Sequence, residues 1–465
     1  MRMPGSGIPV TARAFRWPRK IRLSMTRSAA SRSAVSEQDP PFPWLGLITL
    51  ATAIFVCVTS EFLPTGLLPQ IAADLDVTEA QVGLLITIFA GTVVVTTAPL
   101  AALTRRFDRK HLVIVVLVLF ALANVAAALA PSYAWLVAAR VLGGVSHGLF
   151  WAVVGAYAGY LVPKHQIARA VAVTSAGGTT AFVLGVPAGT ALGTAVGWRA
   201  SFFVIAAVVA VLLLMIVKFL PAVDHRQSLA TGEIALPARR DRTFPGVLFI
   251  CLLVLIVVGG QNIFYTYIAP FLIGSAGFAE ASVGGLLFVY GGAGAVGLVI
   301  AGMVGSRYPR GGLYVMLLTV IAAVLVIGSF SGIPAVVIIS LLVWGAAFGG
   351  IPALLQTRLL HTASPRVRDV GAALLTTAFN IGIGGGAAIG GALFDVIPVP
   401  SLAFVQAGVI ALGVVLLVVA DGRRAAASRG AAAREREAEV LPEYTSEIPV
   451  PPQTGSIPRQ RPAGR

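Results

Sequence analysis

The sequence predicts an all-α membrane protein of twelve transmembrane helices, built as two six-helix bundles in parallel repeat. Three observations carry that expectation. Of the 465 residues, 57% are hydrophobic and only 11% charged, more apolar surface than a water-soluble fold of this length can bury. Twelve apolar runs of spanning length follow one another, and basic residues fall in alternate connections between them. The second six runs repeat the first at a constant offset of 201 residues (262 − 61).

A helix needs roughly 20 mainly apolar residues to cross the hydrocarbon, where every backbone polar group must be paired within the segment. Cut at charges and at Pro, Gly and Asp, the first half yields spans at 44–69, 80–103, 111–130, 134–160, 168–195 and 200–219. The second half yields 245–272, 281–304, 312–331, 334–358, 369–394 and 400–420. The bundles therefore occupy 44–220 and 244–420. Residues 1–43 carry eight Lys and Arg among Ser, Pro and Gly, and no apolar core precedes a small-residue cleavage site. That stretch reads as a basic, disordered arm rather than a cleavable signal peptide, with Met25 as an alternative start. Residues 221–243 read as a solvated linker. The tail, 421–465, mixes Ala, Arg and Glu before a Pro-rich end and is expected to be disordered beyond a helical turn or two.

All of the 34 Lys and Arg except Arg140 and Arg199 fall on one side: the arm, the 105–110 loop, Lys164 and Arg169, the linker, Arg307 and Arg310, Arg358 to Arg368, and the tail. The other side holds Asp74, Asp76, Glu79, Glu280 and Asp395. Positive-inside bias then puts both termini in the cytoplasm, and the chain in a bacterial inner membrane. Here the basic excess marks loops beside lipid headgroups rather than a nucleic-acid surface.

The 201-residue shift lays Glu61 on Asn262, Pro69 on Pro270, Val82-Gly83 on Val283-Gly284, and Arg106 and Arg109 on Arg307 and Arg310. It continues with Gly144 and Gly148 on Gly345 and Gly349, and Gly185 and Gly189 on Gly386 and Gly390. Six spans return the chain to the same side, so the copies share one orientation about an axis along the membrane normal, an arrangement suited to alternating access.

Ser60-Glu61-Phe62 with Gly66-Leu67-Leu68-Pro69, the loop Arg105-Arg106-Phe107-Asp108-Arg109-Lys110, Arg140 to Trp151, Leu161-Val162-Pro163, Gly185 to Thr190 with Gly193, and Gly197-Trp198-Arg199 form an ordered set. Over roughly 44–420 it resembles the major facilitator superfamily, and within it the twelve-span drug:proton antiporters that include arabinose-efflux-like and purine-nucleoside-efflux-like permeases. Arg105 stands where that cytoplasmic loop usually carries an acidic residue, a departure from a motif otherwise met by Arg106, Arg109 and Lys110. The resemblance implies proton-coupled efflux of a small amphipathic compound (a drug, nucleoside or sugar) by a monomer, driven by the proton gradient without a cofactor. An importer or facilitator on the same fold is the alternative.

Charged groups in hydrocarbon are costly, so each is a functional candidate. Glu61, about 25 Å along the first span, and Arg140, about 9 Å into the fourth, coincide in depth. The resemblance implies that both helices line the central cavity. A carboxylate held between an Arg and an apolar surround is pulled both ways, as a proton-coupling group must be; a static ion pair is the competing account. His147 and Trp151 fall within about 20° of Arg140 on one helical stripe. His147 is a candidate proton relay or an interhelical hydrogen-bonding residue. Trp151 is a candidate to stack an aromatic substrate or a packing residue.

The second half is neutral where the first has Glu61. Gln261, Asn262 and Tyr265, with Asn380, are candidates to read the substrate; for Tyr265 and Tyr267 an interfacial aromatic belt is the alternative. Gly185, Gly189 and Gly193 repeat at four-residue spacing as close-packing helices do, and Pro187 adds a break. The resemblance implies that this segment also bends and seals a gate. Cys57 and Cys251 sit singly in apolar runs and read as small core residues. No cluster of His, Asp or Glu suits a membrane-embedded enzyme, and the loops are too short for a receptor domain.

Overall fold

The computed structural model describes residues 42–104, 106–221, 240–307, 311–364 and 366–440. The N-terminal arm up to 41, most of the linker, the tail beyond 440, and Arg105 and Arg310 lie outside the described residues.

Twelve helical spans long and apolar enough to cross a membrane make up the fold, and no strand occurs among the described residues. They are α1 (Trp44–Leu75), α2 (Glu79–Leu103), α3 (Arg109–Ala128) and α4 (Tyr133–Tyr160). The fifth span, α5, runs from Ile167–Thr180 through a π-helical turn, Ala181–Gly185, into Val186–Val196; α6 is Trp198–Phe219. The second half comprises α7 (Phe244–Tyr265), α8 (Val283–Arg307), α9 (Gly311–Ser329), α10 (Pro334–Thr362), α11 (Arg368–Phe394) and α12 (Ser401–Val440).

Three ends differ from the sequence expectation, each for a local reason. α1 continues past Pro69 to Leu75 and stops where Asp76 turns left-handed (φ 52°), its N–H on the Ala72 carbonyl. A buried membrane helix tolerates a proline that would end an exposed one. α7 stops at Tyr265, and the chain resumes as Ile268–Pro270 and a π turn, Phe271–Ser275. Pro270 has no N–H for the Thr266 carbonyl four residues back, and the helix breaks there. Pro187 relates in the same way to Val183, inside the π turn of α5. α12 runs on to Val440 because its Ala-rich extension has high helix propensity; the sequence reading allowed this stretch a turn or two. Where α12 passes Asp421, that carboxylate pairs with Arg358 of α10 and accepts from the Tyr314 hydroxyl of α9.

The repeat holds in space. Gly144 of α4 lies against Phe89 of α2, and Gly345 of α10 against Tyr290 of α8, one 201-residue step apart on both helices. Gly185, Gly189 and Gly193 lay α5 on Thr59, Leu63 and Leu67 of α1. Gly382, Gly386 and Gly390 lay α11 on Gly259, Asn262 and Ile263 of α7. In lipid no hydrophobic force draws helices together, so close backbone approach at such residues supplies the packing.

The halves meet on the acidic face. Thr87 of α2 donates to the Gly384 carbonyl of α11 at 2.9 Å, and Gln70 of α1 donates to Glu280, just ahead of α8, at 2.6 Å. Gly284 and Gly291 of α8 abut the Pro187 and Phe182 carbonyls of α5, and Gly83 of α2 receives the Tyr267 ring. Further along the same stripes, toward the basic face, Gly91 and Ala98 of α2 and Gly302 of α8 are exposed. Nothing lies within 4 Å of a Cβ placed on Gly91 or Gly302. The bundles are closed against each other at the acidic end and splayed at the basic end.

Candidate functional site

The polar side chains of the first half gather where α4 crosses α1, between aromatic rings of α2 and α3. Glu61, Arg140 and His147 are all buried. The Arg140 guanidinium donates to the Ser60 and Glu61 main-chain carbonyls, each at 3.0 Å, and its Cζ lies 4.3 Å from the Phe89 ring centroid. It thus grips α1 at the depth of Glu61 by the backbone, and the carboxylate is not its partner. Among the described residues, the basic residue within 4 Å of the carboxylate is His147, whose Nε2 lies 3.5 Å from Glu61 Oε2. That is longer than a formed hydrogen bond. Ser60 donates to Asn124 of α3 at 2.7 Å, and Asn124 donates to the Phe120 carbonyl.

Trp151 completes the stripe by donating its indole N–H to His147 Nε2 at 2.7 Å. An indole can only donate, so Nε2 accepts, and the proton of this neutral imidazole is on Nδ1. The ring stands edge-on to Phe89, centroids 5.2 Å apart. Glu61 Oε1, Arg140 Nε and His147 Nδ1 have no hydrogen-bond partner among the described residues. The arrangement is a carboxylate without a donor beside an imidazole whose one lone pair is already taken. A single proton can redistribute such a pair.

The second half presents neutral groups at the corresponding depth. Gln261 is the centre of a buried network: it donates to the Tyr290 hydroxyl at 2.7 Å and accepts from Trp344 Nε1 at 2.9 Å and Gln406 Nε2 at 3.0 Å. Both ends of its amide are engaged, so it ties α7, α8, α10 and α12 together and, in this conformation, is not free to read a substrate as the sequence suggested. Tyr265 packs between Tyr290 and Trp344, and Tyr267 donates to the Ala387 carbonyl at 2.9 Å. Both phenols are buried, which removes the interfacial belt as their explanation. Asn262 and Asn380 each donate to the carbonyl one turn back, Val258 and Thr376, and each leaves its Oδ1 unpaired. Those two buried oxygens are unpaired acceptors among the described residues of this half.

In the 105–110 loop, Asp108 caps α3 by accepting from the His111 amide at 3.0 Å, which with the His111 ring holds its carboxyl below the usual range. Lys110 donates to the Val217 carbonyl of α6, and Arg106 is exposed. Arg109 opens α3, half-buried. Arg199 pairs with Asp74 on the acidic face.

Sequence reasoning missed Asn124, Tyr290, Trp344 and Gln406. Asn124 and Gln406 carried a usable signal, since each is a polar side chain isolated in an apolar run. Tyr290 and Trp344 carried none, because an aromatic residue in a span reads equally as packing.

A family model described as the Major Facilitator Superfamily matches residues 50–384 and 250–458. Among solved structures, a bacterial homolog of the human lysosomal transporter Spinster, inward-facing and unoccupied, aligns with TM-score 0.63 and 19% identity over 82% of this chain and 95% of that one. Its occupied inward-facing form aligns with TM-score 0.62 and 17% identity over 84% and 97%. A point mutant of the nucleoside transporter NupG aligns with TM-score 0.64 and 14% identity over 80% and 98%. At these identities the likeness is one of fold.

Proposed function

The chain belongs to the major facilitator superfamily and is a membrane transporter rather than an enzyme, and on that premise we propose that it is a monomeric, proton-coupled exporter of a small amphipathic compound working by alternating access. The observation that supports this most is the asymmetry of the halves. The buried Glu61 carboxylate has no donor among the described residues and stands 3.5 Å from an imidazole nitrogen in the first half, while the matching depth of the second holds neutral polar groups, among them Gln261, Asn262, Tyr265 and Trp344. Glu61 carries the exchanged proton, His147 stands as its alternate holder, and Arg140 fixes α1 against α4. The unpaired oxygens of Asn262 and Asn380 are the second half's contribution to substrate recognition. Export rather than import rests on the resemblance of the Gly185–Gly193 segment to the antiporter motif, with the π turn before Pro187 as the flexible point. Positive-inside bias sets the basic face in the cytoplasm of a bacterial inner membrane, and on that orientation the conformation is closed outside and open inside.

The test is transport by liposomes carrying the full chain under an imposed pH gradient, with ethidium, uridine and arabinose as representatives of drug, nucleoside and sugar. Wild type is expected to move at least one of them against its gradient, and Glu61→Gln only downhill. Full gradient-driven transport by Glu61→Gln would overturn the proposal.

A further inference from the structure

Trp151 is half-buried although it lies on the same stripe as the fully buried Arg140 and His147. The exposed residues of α4, Ala134, Trp135, Ala138, Val141, Leu142 and Tyr160, lie about 80–180° round the helix from it at 3.6 residues per turn, on an arc centred about 140° away. The exposed edge of Trp151 therefore points away from the outer face of α4. It sits 18 residues from the Tyr133 end (151 − 133), toward the basic face where the bundles are splayed. On that placement the exposed edge of the indole borders the open space, while its N–H is on His147.

His147 Nε2 has one bonding direction and two claimants. Trp151 Nε1 is 2.7 Å away and donates to it; Glu61 Oε2 is 3.5 Å away and can only receive from it when ionised. The two bonds exclude each other, since the first needs a lone pair on Nε2 and the second a proton there. The titratable and charged groups facing the ring are Glu61, with Cys57 one turn behind it, from α1, and Arg140 from α4 itself. α2 and α3 offer the neutral rings of Phe89 and Phe120, and the neutral amide of Asn124 at Ser60.

We propose that Trp151 and Glu61 compete for His147 Nε2, so that a proton arriving at the Glu61–His147 pair releases the Trp151 indole and makes it the residue through which proton occupancy is felt on the cavity wall. A proton from water on the basic face, or from a protonated Glu61, forms a bond to the Nε2 lone pair. The hydrogen bond from Trp151 breaks, the imidazolium's new N–H turns to the Glu61 carboxylate, and the indole is left with a free donor at the surface of the cavity. Removal of the proton reverses each step. Trp151 is thus a positioning residue for substrate, acting through His147; this rests on the proton-coupling reading of Glu61.

The experiment is a fluorescence titration from acid to alkaline pH of the full chain in phosphatidylethanolamine–phosphatidylglycerol liposomes, without any substrate. The signal of Trp151 is the difference between wild type and Trp151→Phe. It is expected to be sigmoidal in pH, and the same sigmoid is expected to be missing from His147→Gln, which keeps the indole but removes the titrating nitrogen. If Trp151→Phe does not fold, wild type against His147→Gln gives the same reading. A difference signal that is flat in pH, or one that persists in His147→Gln, overturns the proposal. The transport assay with Glu61→Gln fails independently: a flat Trp151 signal with gradient-driven transport intact and lost in Glu61→Gln sinks the competition and leaves the coupling role standing.

Discussion

Arg140 reaches from α4 to Glu61 and takes hold of its main-chain carbonyl at 3.0 Å, not of its carboxylate. Two charge-assisted hydrogen bonds, the second to Ser60, pin the helix that carries the carboxylate while leaving the carboxylate itself without a fixed partner.

That grip predicts a difference between charge and shape at position 140. Arg140→Lys keeps the charge but cannot span both carbonyls as a planar fork does, and it is expected to lose about 1.5–3 kcal/mol, the worth of one charged hydrogen bond. Arg140→Ala loses more, because Glu61 is then buried with no cation near it. Unfolding in detergent followed by heat or denaturant measures both. Arg140→Lys as stable as wild type would mean that the fork is not what holds α1.

At the outer crossing of the first and fifth helix of each half, the two copies exchange large for small. Gly66 of α1 faces Thr190 of α5, whereas the equivalent Tyr267 faces Gly391 of α11, and a Cβ on Gly391 would collide with the Tyr267 hydroxyl. Gly391→Ala is therefore expected to cost about 1–3 kcal/mol by overpacking. Tyr267→Phe gives up the bond to the Ala387 carbonyl, about 1 kcal/mol. In the double variant the nearest ring atom is Cζ, 3.6 Å from the new methyl, so the two costs should fall well short of their sum. Strictly additive stabilities in that double-mutant cycle would refute the contact.

Gln70 and Glu280 join the halves across the acidic face, beside a cleft of about 450 Å³ that Asp74, Thr194 and Trp198 also line. Glu280→Ala removes one exposed hydrogen bond from the closed side only. A net loss of about 1 kcal/mol raises the population open at this face about fivefold. Cys57 and Cys251 are buried, so the modification rate of Thr194→Cys by a water-soluble thiol reagent reports the opening. An unchanged rate in Glu280→Ala would remove this bond from the gate.

Asp241, ahead of α7, accepts from the Thr243 hydroxyl at 2.6 Å, the Ser364 hydroxyl at 2.7 Å and the Thr243 amide at 2.8 Å. These bonds, with the nearby Arg366, hold its carboxyl below the usual range. A depressed folded value means that the contribution is complete above the unfolded pKa of about 3.9 and fades as pH falls through the folded one. Exchange of the Thr243 amide hydrogen should therefore be slow above the depressed folded value and should lose protection as the pH falls through it. In Asp241→Ala protection should be low throughout. Protection that is the same on both sides of that pH contradicts the staple.

Much of the architecture was legible in one dimension, because the bilayer imposes one-dimensional rules. Span length follows from hydrocarbon thickness, which cut the chain into twelve apolar runs. The 201-residue register survives in three dimensions as the paired contacts of Gly144 with Phe89 and Gly345 with Tyr290. The depth match of Glu61 and Arg140 was legible for the same reason, since rise per residue converts sequence position into height. Local breaks were legible in principle, as Pro187 and Pro270 mark them, yet Pro69 sits in an unbroken α1.

What the sequence alone determined, then, is a twelve-span, two-half membrane transporter fold with the buried charged pair Glu61 and Arg140 in the first half. What only the tertiary structure decided is who bonds to whom: that Arg140 holds carbonyls, that Trp151 takes the His147 nitrogen nearest Glu61, and that Gln261 is occupied by Tyr290, Trp344 and Gln406. The physical reason is range. Hydropathy and charge act over whole helices and can be summed along the chain, whereas a hydrogen bond is made or lost within a few tenths of an ångström, which the packing of several helices settles together.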